Sequence, residues 1–156
     1  MTYVGPFTQA TLLYEPGEAS PKGRVATPGT MLDYVAKNLP HFLPIIKKAG
    51  QLPLYNATER RYTLFVPKIL PPDFPHLDPN TAFKILKMST VPGVITTGML
   101  SNNQIVFPLD HPKNNLAITK YMDGEIRVRD HTLIEGDIMC KNGIIHLLDG
   151  ILWPIY

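Results

Sequence analysis

His146, Asp137, Asp149 and Cys140 crowd the C-terminal end of this 156-residue sequence. An imidazole beside a carboxylate is the pattern of a general base, and a nearby thiol is the pattern of a nucleophile. The surroundings argue for another role. His146 is set inside the aliphatic run Ile144-Ile145-His146-Leu147-Leu148, Cys140 stands beside a turn, and no segment supplies oxyanion donors. The pattern predicts a core histidine that bonds a backbone group and locks a hairpin, so the chain is read as non-enzymatic. An enzyme or small-ligand binder centred on His146 is a third reading, and it demands an open pocket reaching the ring. His41, His76, His111 and His131 are far apart and form no H-x-x-x-H pattern, nor is there a Cys-x-x-Cys, so neither a metal nor a cofactor is expected. No glycine-rich loop precedes a helix to cradle phosphate.

The element that must hold His146 is the stretch from Asn142 to Pro154. An Asn-Gly pair leads into a nearly unbroken aliphatic run, which predicts a tight turn and then a strand buried on both faces. Asp123-Gly124 marks another hairpin turn. Strands are expected over residues 62–67, 93–100, 104–109, 115–122, 124–130, 132–139 and 143–152, the last of them antiparallel. Thr30 with Asp33 forms a capping box for a helix that presents Leu32, Val35, Ala36 and Leu39 and ends at Pro40. A second short helix follows, tolerating Pro44 in its first turn and stopping at Gly50. Asp78-Pro79 starts a helix whose apolar face is Ala82, Phe83, Ile85 and Leu86. Between strand and helix, residues 68–75 carry three prolines, which cannot form a helix and predict an extended, exposed loop offering Ile69, Leu70 and Phe74 to a partner.

Residues 1–29 read as an extended Pro/Gly-rich arm whose patch at Leu12, Leu13 and Tyr14 binds either a partner or the arm's own domain. Residues 30–156 read as one domain, long enough to bury about 68–70% of its unfolded surface. The single cysteine rules out an intrachain disulfide. The net charge of +2 is scattered, so nucleic acid is not an expected partner. No apolar run approaches the length of a membrane span. The first residues lack a basic start and an apolar stretch, so use inside a cell or within a particle is expected over secretion.

The residues from Asn142 to Pro154 resemble the second signature box of fasciclin domains: Asn-Gly, aliphatics around a histidine, then aliphatic-Asp-Gly-aliphatic-Leu-x-Pro. Thr63-Leu64-Phe65-Val66-Pro67 resembles the first box, and Leu86 to Gly93 stands where the family has a segment ending Val-Val-Pro-Gly. Order and spacing agree over residues 30–154. The sequence departs from the family in the proline-rich stretch after the first box, and in Met88-Ser89, where many members carry Tyr-His. The resemblance implies an α+β fold, an antiparallel β-sandwich or wedge with several short helices. It makes Asn142, Gly143, His146, Asp149, Gly150 and Pro154 framework residues. The absent catalytic set, the absent signal, the Pro/Gly-rich arm and the proline-rich stretch after the first box together predict a non-enzymatic interaction module with other protein subunits as partners, most concretely a minor structural component of a large assembly such as a viral capsid. The alternative is an extracellular adhesion module. Glu135-Gly136-Asp137-Ile138-Met139 resembles a Glu-Pro-Asp-Ile-Met segment linked with integrin binding, so Asp137 and Ile138 would meet an integrin-type receptor, and the sequon Asn56-Ala57-Thr58 would carry a glycan.

Overall fold

The computed structural model of the chain describes residues 25–26 and 28–154. The patch at Leu12, Leu13 and Tyr14, and nearly all of the arm, lie outside the described residues. In chain order the elements are β1 (Val25–Ala26), α1 (Met31–Asn38), α2 (Leu43–Lys48), α3 (Leu52–Asn56), β2 (Tyr62–Pro67), α4 (Pro79–Ser89), β3 (Thr90–Pro92), β4 (Ile105–Val106), β5 (Leu116–Lys120), β6 (Ile126–Val128), β7 (His131–Cys140) and β8 (Gly143–Leu148). The strands form one sheet in the order β3-β2-β8-β7-β6-β5-β4, with β1 beside β7.

The helices start where their caps dictate. Thr30 Oγ1 accepts from the Asp33 amide at 3.3 Å while Asp33 Oδ2 accepts from the Thr30 amide at 3.0 Å. Asp78 Oδ1 accepts from the Thr81 amide at 2.7 Å, with Pro79 at the first helical position. Two expectations about faces change. Helix α1 buries Met31 and Val35 and leaves Ala36 exposed, and Phe83 of α4 is also exposed. The short helix α3 follows α2 directly, with Pro53 in its first turn, so the sequon asparagine ends a helix instead of lying in a loop.

The expected all-antiparallel sheet is corrected to a mixed one. Strand β2 lies parallel to β8 from Tyr62↔Gly143 to Pro67↔Leu148, and β1 lies parallel to β7. Turn signals such as Asp123-Gly124 report only sequence neighbours, whereas the β2–β8 pairing joins segments remote in sequence. Its signature is burial: every residue of β2 and β8 is buried, as for strands with packed layers on both faces. One layer joins Met31, Val35, Phe42, Ile46, Ile85 and Leu86 to Leu64, Val66, Ile145 and Leu147. On the other face Phe65 and Leu148 meet Met88, Leu116, Ile118 and Val128. The strand expected over 93–100 is instead an irregular loop closed by a 3-10 turn at Thr97–Met99. Gly93, at φ +90, begins it.

The hairpin joining β7 to β8 has Lys141 and Asn142 as its loop residues, because Cys140 pairs with Gly143. Glycine at 143 answers to packing as well as to turning. A Cβ there would lie 2.0 Å from the Tyr62 carbonyl oxygen. The Asn142 side chain ties this end of the sheet to the helices. Its Oδ1 accepts from the Met31 amide at 2.8 Å, and its Nδ2 donates to the Tyr55 and Ala57 carbonyls at 2.9 and 2.8 Å.

Candidate functional site

Strand β7 is irregular where it passes His146. Its register with β8 shifts between Leu133 and Glu135 and again between Glu135 and Ile138, and Asp137 sits at φ +61. A bulge of this kind re-aims side chains and backbone groups. The turned Asp137 amide donates to His146 Nδ1 at 3.0 Å. His146 Nε2 lies 2.7 Å from the Ile95 carbonyl oxygen. With Nδ1 accepting, the proton is on Nε2 and the ring is neutral. Burial holds the imidazole below its ordinary range, against the Ile95 carbonyl and the Asp137 carboxylate, which favour the charged form. Gly136 makes the approach feasible: a Cβ there would lie 2.7 Å from Thr97 Cγ2 and 3.0 Å from His146 Nδ1.

Asp137 completes the brace. Its Oδ1 accepts from the Thr97 amide at 2.8 Å and its Oδ2 from Thr97 Oγ1 at 2.5 Å. Thr63 of β2 holds the same loop from the other side, donating to the Gly93 carbonyl and accepting from the Ile95 amide, both at 2.8 Å. His146, Asp137 and Thr63 are fully buried, and together they bind residues 93–97 to the sheet. Each donor meets an acceptor, so the group stabilises the fold and presents no reacting atom to solvent. Thr63 and Thr97 were not singled out from sequence. Thr63 carried a signal, a polar residue in a fully apolar strand; Thr97 carried none, since its partner is 40 positions away.

The other expected residues separate. Asp149 is exposed and serves His131, whose Nδ1 is 3.1 Å from its Oδ1, and not His146. Gly150 accommodates that ring, since a Cβ would lie 2.5 Å from His131 Cε1. Asp137 and Ile138, expected as receptor contacts, are fully buried, so in the folded domain this pair has no surface to offer. Leu70 and Phe74 fold back onto the core instead of standing free, Phe74 stacking on Trp153 with ring centroids 5.6 Å apart. Ile69 remains 72% exposed. Pro154 is half-buried. Asn56 is exposed, and its Oδ1 accepts from Thr30 Oγ1 at 2.9 Å. Cys140 is buried.

The Fasciclin domain family model matches residues 37–154, and the chain belongs to that family. The solved FAS1 domain pair of the insect cell adhesion molecule Fasciclin I superposes with a TM-score of 0.61 at 21% identity, covering 82% of this chain and 51% of that one. Protein sll1483 of Synechocystis sp. is 32% identical over 72 residues, which are 46% of this chain and 37% of that protein. The chain therefore spans about half the length of the solved pair, and less of the curated relative.

Proposed function

We propose that this domain is a non-enzymatic protein–protein interaction module working within an assembly of other subunits. The observation that carries this reading is that the acid and base at the centre of the signature strand are saturated: both ring nitrogens of His146 and both oxygens of Asp137 are engaged inside the fold. Family membership agrees with it. The contact surface lies away from the signature boxes, where Ile69, Met122, Met99 and Phe107 expose apolar area. Nothing in the fold or the relatives points to a virus particle. The test is cross-linking of the full chain at native abundance. The interaction reading expects complexes that shrink or vanish with Ile69→Asp or Met122→Asp at unchanged melting temperature. A monomer unaffected by either change, together with a turnover lost in a folded His146→Gln protein, would establish the enzyme reading.

A second reading is adhesion outside a cell, favoured by the likeness to a cell adhesion molecule and by the exposed Asn56 sequon. It expects a glycan on Asn56 when the chain is routed through a secretory pathway. Mass spectrometry finding Asn56 unmodified there would remove that support.

A further inference from the structure

Helix α2 and the loop that follows β2 enclose a cavity of about 190 Å³. His41, Pro44, Ile45 and Lys48 recur at i, i+3, i+4 and i+7, so the turn ahead of α2 and α2 itself present all four to it on one side. The facing wall includes Leu70, Phe74 and His76. That wall is held in place. The Phe74 amide donates to the Pro71 carbonyl at 3.0 Å, the Phe74 ring stacks on Trp153, and Leu70 and Phe74 both pack against the helical core. Ile45, only 5% exposed, makes the interior apolar.

The polar groups around this apolar space are of one kind. Among the described residues its ionisable lining is His41, Lys48 and His76, with no carboxylate. The acids nearest in sequence to the facing wall, Asp73 and Asp78, do not line it, and Asp78 is occupied as the cap of α4, accepting from the Thr81 amide at 2.7 Å. His41 is already engaged, its Nε2 3.0 Å from the Pro67 carbonyl oxygen. Lys48 and His76 are exposed and make no hydrogen bond or ion pair within the described residues. Such a site selects an anion with an apolar body, because the body can enter while the charge stays at the wet rim beside an ammonium and an imidazole. Size narrows the class. An apolar cavity of about 150 Å³ takes benzene, so this one admits a single six-membered ring with a carboxylate attached, and no long chain. We infer that the domain binds a small aromatic carboxylic acid here, its ring against Ile45, Leu70 and Phe74 and its carboxylate at Lys48 and His76. Ile69, on the outside of the same loop, is left for a protein partner.

The test is a titration of the full chain followed by NMR. The signals read are the amides of Leu70, Phe74, His76 and Leu77, and the indole of Trp153, the chain's one tryptophan, which stacks on Phe74. Benzoate, benzyl alcohol and benzylamine carry the same ring with a negative, a neutral and a positive group. Benzoate is expected to saturate with a dissociation constant of roughly 1 mM or below, about tenfold tighter than benzyl alcohol, with benzylamine weakest. In Lys48→Gln, at unchanged melting temperature, benzoate should bind about fivefold more weakly while benzyl alcohol binds as before. Equal responses to the three probes, no saturation by benzoate, or a Lys48→Gln protein that binds benzoate as the parent does would each overturn the inference. Binding of N-acetylphenylalanine about tenfold tighter than benzoate would give the cavity to a polypeptide C-terminus. Shifts that follow protein concentration and not benzoate would give it to a second copy. Either result would overturn the free acid as occupant.

Discussion

The β7–β8 hairpin and the proline-rich loop after β2 use their side chains in opposite ways. In the hairpin every residue from Asn142 to Leu148 is buried, and the side chains of Asn142 and His146 are satisfied by backbone groups of β7, the helical region and the loop at Ile95. In the loop, Leu70 and Phe74 turn inward while Ile69 and the prolines around it face water. The difference teaches where to look for function. A signature dense in polar residues marks framework when each polar atom has a partner inside. The proline-rich loop, in contrast, leaves the apolar side chain of Ile69 in water, where its packing does not account for it.

Substitutions that break the hairpin have the largest effect. Gly143→Ala places a methyl group 2.0 Å from the Tyr62 carbonyl oxygen, in the centre of the sheet where backbone cannot retreat. A loss above about 4 kcal/mol is expected, enough to leave little folded protein, as read by circular dichroism and soluble yield. His146→Ala follows at about 3–5 kcal/mol, because it opens a void and orphans the Asp137 amide and the Ile95 carbonyl. Denaturant melts would show it. Parity with the parent chain would mean that the brace is idle.

The same histidine sets a pH signature for the hairpin. Burial lowers its folded pKa from the ordinary imidazole value of about 6.5, so below that value the unfolded chain binds more protons than the folded one. Stability is fully present above about pH 6.5 and declines as pH falls toward the folded pKa. A proton on Nδ1 would face the Asp137 amide hydrogen. His146→Gln should flatten this slope between pH 6.5 and the carboxylate range while lowering the plateau. Asp137→Asn is milder, at about 1–2 kcal/mol. Asparagine tolerates the positive φ and keeps an acceptor for the Thr97 amide, but Thr97 Oγ1 must turn from donor to acceptor and the charge assistance of both bonds is lost.

The comparison also explains what could be read from sequence. Caps at Thr30 and Asp78 and the buried run after Gly143 were legible because their causes lie within a few residues. His146 was legible as structural because an aliphatic strand surrounds it. The parallel pairing of β2 with β8 was not, since no local pattern encodes a partner so far along the chain. The bulge at Gly136-Asp137 was hidden for a similar reason: a short motif resembling a receptor-binding segment looks the same whether its aspartate faces water or Thr97. Residues 93–100 looked like a strand because Val94, Ile95, Met99 and Leu100 supply apolar character. Side-chain bonds from Thr63, Asp137 and His146 hold the first part of that stretch as a loop instead.

Ile69→Asp tests the loop's half of the comparison, and its effect on stability is the smallest. The side chain is 72% exposed, so replacing it should change unfolding free energy by no more than about 0.5 kcal/mol. Phe74→Ala is its control within the same loop. That change removes the stack on Trp153 and a contact with the core, and should lower stability by more than Ile69→Asp does. The pair therefore separates two uses of one loop. If the loop is a contact surface, Ile69→Asp weakens cross-linked complexes at constant melting temperature, whereas Phe74→Ala weakens them only as far as the fold itself loosens. If both changes lower the melting temperature equally and neither alters the complexes, the loop belongs with the hairpin as framework, and the contact surface has to be sought at Met122 and Phe107.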